Sequence, residues 1–289
     1  MATSFTIPGR VSFAVAAFGC LLAAIPAHAT SIAVVRTPTN ITIAADSLVT
    51  VADNAGLHHV RSSKLHSAGG LYFTAAGVTL DPDAGLDTTR TGAAVLAAPG
   101  TIQQKARQIA TRLQAPLLRS YQMRQRSMVP ADYAEFMAGG DTALDFVIAG
   151  FENATPTVAI ITFRRLTDRM GRTIAMTPTI RMCPGNGCKG GTWYYILGYN
   201  REARPHYTTA SFWRTDTATV ARRIVQIEAA AQPQHVGLPI DVLLVERRGA
   251  FWVPPYGLGR RPYQNPAAPS RPAYASTDRQ SAAVAPVQR

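Results

Sequence analysis

Three lysines stand among 29 basic residues of a 289-residue chain, so its net charge of +12 is carried almost wholly by arginine. The lysines are Lys64, Lys105 and Lys189. Acidic residues number only 17, so carboxylates for a hard-metal cage are scarce. There is no G-x-S-x-G elbow and hence no recognisable Ser-His-Asp triad of the α/β-hydrolase kind. There is no Gly-rich phosphate loop and no repeat at a fixed period. No basic run is interleaved with aromatics as a nucleic-acid stacking platform requires, so no nucleic-acid partner is expected. The three histidines of one segment, His58, His59 and His66, read as surface residues rather than metal ligands, because few carboxylates lie near them. No cofactor is expected.

Long apolar runs are also missing beyond the N-terminus. Residues 1–29 read as a signal peptide, with Arg10 in the n-region, an apolar stretch from Val11 to Ile25 and Ala27-His28-Ala29 before the cut. A membrane anchor is the competing reading, but the apolar stretch falls short of the roughly 20 residues that span a bilayer. A lipoprotein would use Cys20, behind the poor lipobox Ala17-Phe18-Gly19. An exported, periplasmic or secreted chain without a transmembrane segment is expected. Residues 254–289 contain seven prolines and five arginines with little aliphatic content, which predicts a disordered tail. The domain proper is residues 30–253. The basic excess fits an anionic envelope partner or, more blandly, a solvated basic surface.

Cysteine is nearly absent too. Without Cys20, the pair Cys183 and Cys188 remains around Pro184-Gly185-Asn186-Gly187. An even pair about a turn in an exported chain favours a disulfide. Two thiolates would supply only half of a zinc shell, and no nearby histidine completes it.

What is present concentrates in Thr30–Asp46, TSIAVVRTPTNITIAAD. Two runs rich in β-branched residues, Ser31–Arg36 and Asn40–Ala45, flank Thr37-Pro38-Thr39, which is turn chemistry. The runs should pair antiparallel, a more open turn being the alternative. Pairing brings Asp46 back beside Thr30, because neighbouring strands lie about 5 Å apart. A threonine freed by cleavage with a carboxylate beside it reads as an N-terminal-nucleophile site.

This stretch resembles the start of a proteasome β-type subunit of the N-terminal-nucleophile hydrolases. Thr30 and Asp46 are sixteen apart, and the element Ala44-Ala45-Asp46-Ser47 matches the family's A-A-D-S pattern. Lys64, in Lys64-Leu65-His66, and Ala76-Gly77, at the end of Leu71–Ala76, follow in family order. The gap from Asp46 to Lys64 is about two residues longer than usual, so Val49–Ser63 reads as a loop with a small insertion. The resemblance extends to about Val253. It implies an α+β fold, a four-layer αββα sandwich of two antiparallel sheets with helices outside. It also implies a Thr30 nucleophile, a charged Lys64 beside it, an Asp46 that orients Lys64, and a Gly77 N–H facing the oxyanion. A peptide or other amide substrate and a possible homo-oligomer follow from the same resemblance. One departure counts against it: the family's Asp and Ser–Gly before the penultimate strand are replaced by Pro233-Gln234-His235-Val236-Gly237-Leu238-Pro239, where only Gly237 matches. A non-catalytic scaffold binding an envelope partner is the alternative.

Elsewhere, a helix is expected around Thr88–Ala97, and Thr101-Ile102-Gln103-Gln104 is a capping box opening another. Ile102, Ala106, Ile109 and Leu113 follow at helical spacing; Pro116 should kink or end that helix, although Leu117, Leu118 and Tyr121 suggest that helix resumes. A short helix should start at Pro130. Strands are expected at Asp145–Gly150, Thr157–Arg164, Thr173–Met182 and Thr192–Leu197. A helix at Thr217–Ala231 and a hairpin of Ile240–Glu246 with Ala250–Val253 close the domain.

Overall fold

Fifteen strands and five α-helices make up the described part of a computed structural model. It describes residues 30–53, 56–137, 140–188, 191–254 and 261–262. Residues 1–29, expected from the sequence to be a signal peptide, and nearly all of the Pro/Arg-rich segment lie outside these residues, and so does Lys189.

The chain opens with β1 (Ser31–Arg36), β2 (Asn40–Asp46), β3 (Leu48–Asp53), β4 (Gly56–Arg61), β5 (His66–Ala68) and β6 (Leu71–Gly77). Short strands β7 (Leu80–Asp81) and β8 (Leu86–Asp87) lead into α1 (Thr88–Ala97), α2 (Ile102–Ser127) and α3 (Pro130–Met137). Then come β9 (Thr142–Glu152), β10 (Thr155–Thr167), β11 (Thr173–Cys183), β12 (Trp193–Gly198), α4 (Arg204–Tyr207), a 3-10 turn (Ala210–Trp213) and α5 (Thr217–Ala231). Strands β13 (Ile240–Glu246), β14 (Gly249–Trp252) and β15 (Arg261–Pro262) end the described chain.

The fold is α+β with antiparallel sheets. Six strands run in the order β12-β1-β2-β13-β14-β15, and five in the order β11-β10-β9-β6-β5. β1 and β2 pair as the turn residues require, with Ile32 opposite Ala45 and Arg36 opposite Ile41. The turn is closed by the Thr37 N–H donating to the Asn40 carbonyl at 2.8 Å.

Every residue of β1 is buried, so the strand has apolar neighbours on both faces. Alternation sorts them. Ile32 and Val34 pack with Ile43, Leu243, Val147, Val158 and Ile160, drawn from both sheets. Ala33 and Val35 pack instead with Ala44, Val242 and the α5 residues Ala221, Ile224 and Val225. On the other side of the five-stranded sheet, Phe73, Phe146 and Ile148 pack with Val95 of α1 and Ile109 and Leu113 of α2. Each such side chain gains roughly 1.5–3 kcal/mol on full burial.

One sequence expectation needs correction. Val49–Ser63 is no simple loop, because β3 and β4 form a two-stranded hairpin of their own from Leu48 opposite Arg61 to Asp53 opposite Gly56. The alternating Leu48, Thr50, Ala52 and Val49, Val51 pattern supports strand as well as loop. At Pro116 the helix continues, as Leu117, Leu118 and Tyr121 suggested: α2 runs from Ile102 to Ser127 through the proline. Buried Ile109, Leu113, Leu117 and Tyr121 anchor the helix on both sides of the proline, and that burial outweighs one lost N–H. The capping box is present as expected, the Thr101 hydroxyl accepting from the Gln104 N–H and the Gln104 side chain from the Thr101 N–H.

Candidate active site

Asp46 is the last residue of β2, and the β1–β2 register carries it beside Ser31. Its carboxylate is fully buried. Oδ1 accepts the Ser31 N–H at 2.9 Å, and Oδ2 accepts the N–H groups of Leu48 at 3.2 Å and Gly237 at 3.3 Å. Lys64 Nζ donates to Asp46 Oδ1 at 2.8 Å. A buried carboxylate with this many donors is held in one orientation.

The same ammonium donates to Thr30 Oγ1 at 2.8 Å. Lys64 therefore bridges the carboxylate and the hydroxyl that begin and end the opening hairpin. Its position is set from both sides. Leu65 is fully buried in the cluster between the sheets, and the Ser62 N–H donates to the Ser47 carbonyl at 2.9 Å. Burial pulls the Lys64 pKa below the ordinary lysine value, while the charge and hydrogen bond of Asp46 oppose that fall. Thr30 itself is only 9% exposed.

Gly77 ends β6, opposite Leu144 of β9, with φ at +117°. A Cβ there would sit 2.4 Å from the Ala143 carbonyl oxygen, so the glycine is required by the neighbouring strand's backbone. Its N–H as an oxyanion donor remains a proposal. Ala76 joins the same inter-sheet cluster as Leu65, Ala45 and Ile32.

Three contributors were not foreseen. The Thr30 carbonyl accepts the Tyr199 N–H at 2.8 Å. Gly198, at φ +69°, leaves room for that carbonyl, since a Cβ would stand 1.9 Å from the oxygen. The third is the loop before β13, whose missing acid and hydroxyl counted against activity. It reaches the site by another route: Gly237 donates to Asp46, and the Ser47 hydroxyl donates to the Pro239 carbonyl at 2.8 Å. His235 of that loop stacks on Tyr199 with ring centroids 5.3 Å apart. For that loop the hint in the sequence was the single match at Gly237.

A second carboxylate stands nearby. Asp241 pairs with Ala45 on β13. Burial raises its pKa, the charge of Asp46 raises it further, and the Ser63 hydroxyl bonded to it works the other way.

Cys183 and Cys188 are joined by a disulfide across the turn after β11. His66 is half-buried with its ring 5.2 Å from Phe73, and burial lowers its pKa. His58 and His59 lie in β4. Among the described residues no three His, Cys, Asp or Glu side chains come together as a metal site. No described helix is long and apolar enough to cross a membrane.

The sequence matches no protein-family profile and no curated protein. Among solved structures, the chain is similar to Anbu (ancestral beta-subunit) from Yersinia bercovieri. That likeness has a TM-score of 0.42 and 15% sequence identity, and covers 74% of this chain and 81% of that one. At that level it adds no weight to the geometry above.

Proposed function

We propose that the chain is an exported threonine amidohydrolase of the N-terminal-nucleophile type, with Thr30 exposed by cleavage after Ala29. The observation that carries the reading is the Lys64 ammonium, 2.8 Å from both Thr30 Oγ1 and Asp46 Oδ1. A lysine buried at this point has little structural reason to approach a threonine hydroxyl, and desolvating an ammonium costs energy unless it is paired. The three separate apolar clusters support the αββα layering, with α1–α3 outside one sheet and α5 outside the other.

In this reading the Thr30 hydroxyl attacks an amide carbonyl. Its proton passes to the freed α-amino group, whose ordinary pKa of about 7.7–8 leaves a useful unprotonated fraction. Lys64 stays charged and stabilises alkoxide character at Oγ1, while Asp46 fixes Lys64. The Gly77 N–H faces the oxyanion. The amine returns the proton to the leaving nitrogen, an ester remains on Thr30, and water attacks that ester to release the acid. The substrate is a peptide or another amide, and a homo-oligomer is compatible with the fold.

A β-lactone probe tests the reading. Exported wild-type protein should become acylated on Thr30 and Thr30→Ala should not. Absence of labelling in protein that begins at Thr30 favours the non-catalytic scaffold, for which the absent acid and hydroxyl near Gln234 speak.

A further inference from the structure

Helix α5 buries a carboxylate that the proposed reaction does not use. Every other buried residue of α5 is Ala, Val or Ile, yet Glu228 is fully buried among them. Its Oε1 accepts the Ala203 N–H at 2.7 Å, and its Oε2 is buried without a hydrogen-bond partner. Among the described residues no cation pairs with it. Burial raises its pKa above the ordinary glutamate value, and hydrogen bonding from the backbone opposes that rise. A carboxylate buried with so little compensation is unfavourable, and an apolar side chain of the same length would suit the place better. The cluster around Glu228 thus gives no reason for a glutamate, whereas its contact with Ala203 does.

That contact holds one end of a short strap, residues 199–203, which leads from β12 to α4. At its front end the Tyr199 N–H donates to the Thr30 carbonyl at 2.8 Å, next to the pairing of Gly198 with Ser31. At its back end Ala203 is fully buried and its N–H is taken by Glu228. Between these ends Arg201 and Glu202 are exposed. The strap is therefore tied at its two ends and free in the middle. Helix α5 packs through Ala221, Ile224 and Val225 on Ala33, Val35 and Ala44 of the opening hairpin. The back end of the strap is thus fixed relative to the same two strands that carry Thr30 and Asp46.

We propose that Glu228 is a positioning residue: by accepting the Ala203 N–H it fixes the strap that holds the Thr30 carbonyl, and so sets the Thr30 hydroxyl against Lys64. The inference rests on the reading of Thr30 as a nucleophile. It has a consequence that a purely structural role does not share. The carboxylate opposes folding and serves the site, so its removal should stabilise the chain and at the same time misplace the nucleophile.

Two substitutions in the exported full chain separate the contact from the bulk. Glu228→Gln keeps an oxygen for the Ala203 N–H without the charge, and Glu228→Met fills the same length without an oxygen. Each is read by thermal unfolding, by the rate of β-lactone labelling of Thr30, and by hydrogen exchange of the Tyr199 amide. Glu228→Met should unfold at a higher temperature than wild type, label about tenfold or more slowly, and exchange the Tyr199 amide about tenfold or more faster. Glu228→Gln should label and exchange as wild type does. A Glu228→Met chain that unfolds earlier than wild type, or fails to fold, would show that the carboxylate serves the fold, and would overturn the proposal. So would a Glu228→Met chain with unaltered labelling and Tyr199 exchange, or a Glu228→Gln chain as impaired as Glu228→Met. If wild type does not label at all, the nucleophile reading fails by itself. Tyr199 exchange then decides alone: faster in Glu228→Met supports the tie between Glu228 and the Thr30 carbonyl, and unchanged overturns it.

Discussion

The Gly237 N–H reaches Asp46 Oδ2 at 3.3 Å across 191 residues of sequence. One end of the domain thereby fixes the carboxylate that orients Lys64 at the other. The contact needs glycine, because a Cβ at 237 would lie 2.6 Å from Leu48 Cβ. Gly237→Ala should cost about 1–3 kcal/mol through this overlap and slow acylation of Thr30. Thermal unfolding and the rate of probe labelling check the two halves. A variant as stable and as fast as wild type would show that the loop does not hold Asp46.

Gly198→Ala should be worse. Its Cβ would meet a backbone carbonyl that cannot swing aside, at a φ of +69° that non-glycine residues rarely adopt. A loss of at least about 2 kcal/mol in chemical denaturation is expected. Thr30 labelling should be lost together with it, because the displaced carbonyl belongs to the nucleophile.

Labelling of Thr30 should have a bell-shaped pH dependence. The acid limb belongs to the α-amino group, inactive when protonated, and falls near or below pH 8. The alkaline limb belongs to Lys64. Its folded pKa lies below the ordinary 10.5, so its charge is lost before that pH as the solution becomes more basic. The same shift has a stability consequence: the unfolded lysine binds a proton that the folded one releases, so stability gains with pH between the folded value and 10.5. Lys64→Met should remove both effects, and a rate that keeps rising past pH 10.5 would exclude Lys64 as the charged partner.

Pro116→Ala should stabilise the protein. Alanine restores the N–H that proline denies to the helix interior, worth roughly 3 kcal/mol, less about 1 kcal/mol for the freer unfolded chain. A gain of about 2 kcal/mol in equilibrium denaturation is expected. A loss would mean that the proline ring packs productively.

Much of the opening hairpin was legible in the sequence. Ser31–Arg36 and Asn40–Ala45 are rich in β-branched and small apolar residues around Thr37-Pro38-Thr39, and antiparallel pairing of the two runs brings Asp46 to Ser31. The Thr101 capping box is equally local. The β3–β4 hairpin was not legible, because Val49–Ser63 mixes strand residues with Asp, Asn and Gly and pairs with nothing but itself. At Pro116 the local rule and the apolar residues beyond it pointed different ways, and burial of Leu117 and Tyr121 won. Tyr199 and Gly237 act through contacts with Thr30 and Asp46, far away in sequence, and no local spacing announces such contacts.

The disulfide has a simple check. Closing so short a loop is worth about 2 kcal/mol on chain-entropy grounds. Reduction of Cys183–Cys188 should lower stability by about that much without abolishing labelling of Thr30, since the bond lies at the β11–β12 turn.

The central claim is that Thr30, freed at its amino group and touched by Lys64, is a nucleophile. Mass spectrometry of exported protein after β-lactone treatment tests it most directly. The account predicts a chain that begins at Thr30 and carries one acyl group on that residue. Thr30→Ser should be labelled more slowly, and folded Thr30→Ala should not be labelled. A mature chain beginning at another residue, or Thr30→Ala labelled as fully as wild type, would contradict it.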